Sequence, residues 1–274
     1  MSKFLKIINY IFRNKLEKEK NNKYYRNHCP INPMHDDIYI VEFPKSGITW
    51  LQHILGNIEL QLANKNEIIT YYNYRKYMPD IYQVDGYSKI NRFLDRTFIK
   101  SHSKFNPNYN FVIYLMRNPY DVMVSFYNYM LAHGTTFSSF EEFVKNDKFG
   151  ISTWKSHINS WHNNNSVQKI HFIKYENLII DAINEIKKLY LNLGIEPSEN
   201  IIKEALARSS MNNMKKSEDD YKKVNVNYTI TFVGKENKIS KDDLLTNDIK
   251  KYINNIAYDE IKTFYPELLK TDER

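Results

Sequence analysis

From residue 38 to 51 the chain reads IYIVEFPKSGITWL, an apolar run followed by a polar, glycine-containing turn. Beyond the turn, Trp50, Leu51, Ile54, Leu55, Ile58 and Leu62 recur every three or four residues, the spacing of one helix face. The stretch therefore reads as strand, loop and helix N-terminus. Similar apolar runs predict further strands over Thr97 to Lys100, ending at Ser101 and His102, over Phe111 to Met116, and over residues 170 to 174. Helices are expected from Pro119 onward, after a turn at Arg117 and Asn118, and near Phe140 to Asn146 and Trp154 to His162. Two more are expected over Ala182 to Leu193, ending near Gly194, and over Ser198 to Ala207, capped by Ser198.

Elsewhere the pattern weakens. Residues 64 to 95 are polar and tyrosine-rich and carry no clear element, and Ser209 to Lys241 is polar, basic and short of core residues, which reads as a lid. Near the start, Phe4, Leu5, Ile8, Ile11, Phe12 and Leu16 form one helical stripe, with Lys3, Lys6, Arg13, Lys15 and Lys18 largely off it. This is a basic amphipathic helix over residues 3 to 18, suited either to an anionic membrane surface or to docking on its own domain. Strands separated by helices imply an α/β fold: one domain over 37–274 with a central, mostly parallel sheet flanked by helices, preceded by the helix and linker of 1–36. A chain of 274 residues is long enough to bury such a core.

Ligands of these folds bind at the carboxyl ends of the strands. Lys45 and Ser46, then His102, Arg117 and Tyr175, stand at four such ends. The 38–51 loop can turn several N–H groups toward one point, with Lys45, Ser46 and Thr49 beside them, so it reads as a cradle for phosphate or sulfate. The loop lacks G-x-x-x-x-G-K-[ST], because Lys45 precedes Gly47. No acidic strand end is read that would hold Mg²⁺, so an ATP-dependent kinase is the weaker reading.

Composition adds constraints. With 39 basic against 32 acidic residues and a pI near 9.1, the chain favours anionic partners without choosing among nucleotides, nucleic acids and membranes. Its single cysteine, Cys29, excludes an intramolecular disulfide and a multi-cysteine metal site, and fits a reducing compartment such as the cytoplasm. No apolar run approaches the roughly 20 residues that span a bilayer. The opening MSKFLKIINYIFRNK has charges within its apolar stretch and no small-residue cleavage site, so it is a poor secretory signal.

FPKSGITW resembles the Y-P-K-[SA]-G-T-T-W loop of the sulfotransferases, and YLMRNPYDVMVSFYNYM resembles their second nucleotide motif, R-N-P-x-D-x-x-x-S. FIKSHSKF is similar to their K-T-H-L-P segment, and FGISTWKSHINSW and IHFIKYENL resemble further blocks in the same order, covering roughly residues 35 to 215. The likeness is to the cytosolic type. It implies a P-loop-like domain that uses 3'-phosphoadenosine 5'-phosphosulfate (PAPS), releases 3'-phosphoadenosine 5'-phosphate (PAP), needs no metal, and sulfates a hydroxyl, or less often an amine, of a small molecule or glycan.

The same resemblance assigns roles. Lys45 would meet the oxygen bridging sulfur and phosphorus, His102 would be the base, and Lys100, on the same strand face as His102, would stabilise the transferring group. Ser46, Gly47, Ile48 and Thr49 would line the donor's phosphosulfate, and Arg117 with Ser125 would hold its 3'-phosphate. For Arg117 an ion pair to Asp121 competes with that role, and for Ser125 a bond to its own helix backbone competes. Trp50, Tyr175, Ser209 and Met211 match positions around adenine, where core packing is the alternative for the aromatics. Glu176 reads as a cap or structural partner.

The chain departs from the family at Ile48, which replaces a threonine, and at Met211, where an aromatic is usual. It departs again over TFVGKENKIS, where R-K-G-x-x-G-x-W-K is expected. There Gly234 aligns, Phe232 and Val233 replace the arginine and lysine, and Lys235 or Lys238 is the candidate 3'-phosphate clamp. The family's dimerisation pattern is not evident, and oligomeric state stays open. The competing class is a sulfotransferase fold that has lost catalysis and binds RNA or an anionic membrane.

Overall fold

The computed structural model describes residues 28–81, 89–164, 169–226 and 239–272. The N-terminal amphipathic helix and the clamp candidates Gly234, Lys235 and Lys238 lie outside the described residues. In chain order the elements are β1 (Ile38–Glu42), α1 (Ile48–Leu62), α2 (Tyr74–Tyr77), β2 (Phe98–Ser101), β3 (Phe111–Met116), α3 (Pro119–Ala132), α4 (Phe140–Lys145), α5 (Ile151–His162), β4 (Lys169–Lys174), α6 (Tyr175–Asn192), α7 (Glu199–Arg208), α8 (Met211–Val224), α9 (Lys241–Leu244), α10 (Asn247–Ile256), α11 (Tyr258–Phe264) and a closing 3₁₀ turn (Pro266–Asp272).

The four strands form one parallel sheet in the order β2-β1-β3-β4. Side chains alternate across a strand, so each strand feeds two cores. Tyr39, Val41, Ile99, Val112, Tyr114 and Met116 pack on one face, against Phe126, Trp154, Ile158 and Trp161 of α3 and α5 and against α10 and α11. Ile38, Ile40, Phe98, Ile113, Leu115 and Ile173 pack on the other, against Leu51, Ile54, Leu55 and Ile58 of α1 and against α6 and α7. Helices on both faces are what an all-parallel sheet requires.

Local chemistry sets the helix ends. Pro119 stands at the first turn of α3, and the Asn118 side chain accepts a hydrogen bond from the Tyr120 amide at 2.9 Å. Ser198 caps α7, accepting from the Ile201 amide. The helix expected from Ala182 starts at Tyr175, with a break at Asp181 (φ −148°, ψ 70°). Asp181 Oδ1 accepts from the Asn184 amide at 3.2 Å, so an aspartate restarts the helix where the apolar period begins.

Two expectations are corrected. The stretch from Ser209 to Lys241 contains the fourteen-residue helix α8. Its buried face consists of Met214 and Glu218 alone, which leaves almost no apolar period to read. The unassigned stretch of 64 to 95 holds α2 and a bridge between Asp80 and Lys100 that extends the sheet edge beside β2. Among the described residues no helix is long and apolar enough to cross a membrane.

Candidate active site

The loop between β1 and α1 reverses direction through two left-handed residues, Lys45 (φ 76°) and Gly47 (φ 112°). Such alternation turns successive amides into one concavity. Gly47 is also required by space: an added Cβ would lie 2.5 Å from the Tyr175 ring. The Ser46 hydroxyl is buried and donates to the Phe43 carbonyl at 2.8 Å, closing the turn. The Lys45 ammonium lies 4.5 Å from the centre of the Tyr129 ring. Ser125 is one turn before Tyr129 on α3 and shares its face, so Ser125 and Lys45 belong to the same corner.

Inside the loop stands a residue whose role the sequence reading missed. Glu42, the last residue of β1, is 2 % exposed, and its Oε2 accepts from the Ile48 amide at 2.9 Å. An acidic strand end therefore exists, contrary to expectation. It is engaged by loop amides and flanked by Lys100 and Lys45, the surroundings of an internal counter-ion. Burial pushes the carboxyl up to about 7 against the opposing pull of Lys100, the loop amides and Lys45. A lone acidic residue in an otherwise apolar strand was the available signal.

His102 lies just past β2. Its Nδ1 is 3.2 Å from the Glu42 carbonyl oxygen and 3.9 Å from Glu42 Oε1. A carbonyl only accepts, so Nδ1 carries the proton and Nε2 is the basic nitrogen. Burial, and then the neighbouring Lys100 ammonium, hold the imidazole well below its usual range, with Asp80 pulling the other way. The Lys100 ammonium pairs with Asp80 Oδ2 at 3.0 Å.

Helix α5 pins this segment from behind. His157 Nε2 donates to the His102 carbonyl at 3.2 Å, and its Nδ1 accepts from the Tyr114 hydroxyl at 2.8 Å. Trp161 donates to the Ser103 carbonyl at 2.9 Å, and Ser160 Oγ accepts from the Phe105 amide at 3.0 Å. The sequence flagged the block FGISTWKSHINSW without showing that it holds the segment from His102 to Phe105 in place.

Arg117, just past β3, donates from Nη1 to the Lys45 carbonyl at 3.3 Å, and its guanidinium lies 4.5 Å from the centre of the Tyr175 ring. Its Nε is buried with no hydrogen-bond partner. The competing ion pair is absent, because Asp121 pairs with Lys241 at 2.6 Å. Trp50 meets Tyr175 edge to face at 5.8 Å and donates from its indole to the Ser209 carbonyl at 3.1 Å. Ser209 is fully buried, its hydroxyl accepting from Asn57 at 3.1 Å, whereas Met211 is 60 % exposed at the start of α8. Glu176 caps the Asn118 amide at 2.8 Å. Lys45, Gly47, Trp50, Arg117, Tyr175 and Ser209 thus share one wall, with Lys100 and His102 across the loop beside Glu42. Among the described residues no group of three or more His, Cys, Asp or Glu could hold a metal ion.

Known proteins share this fold. Retinol dehydratase, solved in complex with androsterone and the inactive cofactor PAP, superposes with a TM-score of 0.64 at 16 % identity, covering 90 % of this chain and 85 % of that one. A putative steroid sulphotransferase of Arabidopsis thaliana gives 0.59 at 18 %, covering 85 % and 78 %. Sulfotransferase 4A1 of Homo sapiens is 29 % identical over 179 residues, and the match spans 61 % of this chain but only 62 % of that protein's length. Sulfotransferase 1E1 of Cavia porcellus is 27 % identical over 209 residues, with 70 % of each chain covered. The sulfotransferase domain model matches residues 35–271, which include every strand and all the site residues described above, and the chain belongs to the sulfotransferase family.

Proposed function

We propose that this protein transfers the sulfuryl group of PAPS to a hydroxyl of a small-molecule acceptor by in-line displacement, with His102 as the base. The observation that carries this reading is Arg117. Its guanidinium is stacked and oriented, and a buried Nε–H has no partner, which is a costly arrangement unless a ligand's oxygen completes it. Arg117 and Ser125 are assigned the donor's 3'-phosphate. Trp50 and Tyr175 form an aromatic wall suited to adenine.

The donor supplies an activated sulfuryl group. The residues of this chain do the rest. His102 Nε2 takes the acceptor's proton as the acceptor oxygen bonds to sulfur and the sulfur–oxygen bond to phosphate breaks. Lys45 stabilises the charge that grows on the departing phosphate oxygen, and Lys100 the transferring group. Nδ1–H on the Glu42 carbonyl fixes the tautomer that this requires. A hydroxylated small acceptor is supported by the androsterone bound in the fold relative and by the aromatic surroundings of the site.

Calorimetry with PAP tests the donor assignment. Binding by the wild type that is weakened at least tenfold in Arg117→Ala is expected; absence of binding, or unchanged binding in both Lys45→Ala and Arg117→Ala, refutes it. A screen of phenols, alcohols and sugars with labelled donor then identifies the acceptor, and His102→Ala in the same assay tests the base.

A further inference from the structure

We propose that Glu42 is a positioning residue of the donor loop, an internal anion that holds the loop amides open before the donor arrives and is neutralised by one proton from solvent when the donor's phosphosulfate takes its place among the cations. The inference rests on the donor reading above and adds a residue and a proton to it.

The geometry is specific. In a loop whose amides would hold an anion, an anion from the chain itself is already in contact. The Glu42 carboxylate accepts from the Ile48 amide at 2.9 Å and from the Lys45 amide, and its side chain is 3 % exposed. The charged and titratable groups around it come from each neighbouring element. Lys45 is on the loop, Lys100 on β2 and His102 just past it, and Tyr114 is on β3, while Asp80 stands behind Lys100. Two ammonium groups and the loop amides therefore offset one carboxylate in the donor-free site. A carboxylate keeps its proton off only while that offset holds.

The donor's phosphosulfate is anionic and claims the same amides and the same lysines. Its entry removes the offset and sets a second negative charge beside Glu42, and two adjacent anions cannot both stay ionised in a buried site. The carboxyl already sits near 7 in the donor-free chain, so a modest further rise protonates it at neutral and mildly alkaline pH. The neutral carboxyl keeps a carbonyl oxygen for the Ile48 amide and gains an O–H for the incoming anion. A role limited to folding the loop would leave donor binding independent of proton uptake.

The test is PAP calorimetry near pH 8 in two buffers of different ionisation enthalpy, where the phosphates of PAP are already ionised. The wild type is expected to take up about one proton per PAP, and its Kd to rise by up to about tenfold for each pH unit above 7. Glu42→Gln, which cannot titrate, is expected to bind PAP with no such uptake and with a Kd that is level over this range. Glu42→Thr serves if the glutamine variant fails to fold. Binding without proton uptake in the wild type overturns the proposal and leaves the donor reading standing, as does equal uptake in both proteins. No PAP binding by any of them overturns the donor reading and the proposal with it.

Discussion

At the scale of single residues, the site depends on backbone shape as much as on charge. Gly47 holds φ 112° and faces the Tyr175 ring, so its replacement meets two separate penalties. The left-handed backbone disfavours any Cβ by about 1–3 kcal/mol. The ring contact at 2.5 Å is relieved by removing the ring. Gly47→Ala is therefore expected to lower the urea midpoint and to abolish measurable PAP binding, and adding Tyr175→Ala is expected to restore only part of the stability. A single variant as stable as the wild type would sink this account. Lys45, His102 and Arg117 were legible in the sequence because strand ends expose them in a row along one sheet edge. Glu42 was not, because its meaning lies in what surrounds its carboxylate, two amides and two lysines brought together only by folding.

At the scale of elements, legibility followed apolar periodicity. The strands at 98–101 and 111–116 stand within one residue of expectation, since doubly covered parallel strands are continuous apolar runs. Helix α8 escaped because it is held by polar contacts. Ser210 caps it, Ser217 Oγ accepts from the Tyr71 amide at 2.7 Å, and the Tyr72 hydroxyl donates to the Asp220 carbonyl at 2.7 Å. Tyr221 then packs on Tyr71 and Tyr72, with ring centres 5.3 and 5.1 Å away. None of these contacts has a period. They also tie α8 to the segment just before α2, so the tyrosine-rich stretch and the polar helix stabilise one another. Ser217→Ala leaves the Tyr71 N–H without its acceptor and is expected to cost about 1–3 kcal/mol. Amide exchange is expected to quicken across α8 and near Tyr71 while β1 and β3 stay protected. Unchanged exchange in α8 would show that the helix is held by something else.

At the scale of the whole molecule, the two cores bury titratable groups whose effects on stability oppose one another. His53, on α1, and His157, on α5, are each held down to about 4 by burial, against an ordinary value of 6.5. Between those values the unfolded chain binds more protons than the folded one, so both contributions are present above 6.5 and are lost as pH falls through 4. Each is worth up to about 3 kcal/mol. Glu42 has the opposite sign: its pKa is raised from 4.5 to about 7, so its contribution is present below 4.5 and lost as pH rises through 7. His102 and His171, also lowered by burial, join the histidine side, and Glu59, raised by burial, joins the glutamate side, so the histidines prevail and stability falls on going from pH 6.5 to 4.5. His157→Gln separates the terms, because the amide can donate to the His102 carbonyl and accept from the Tyr114 hydroxyl without titrating. That variant loses one buried histidine and keeps the others, so its urea midpoint is expected to fall less between pH 6.5 and 4.5 than the wild type's. Should both proteins fall alike, the acid sensitivity does not come from His157, which then holds the His102 segment without coupling it to pH.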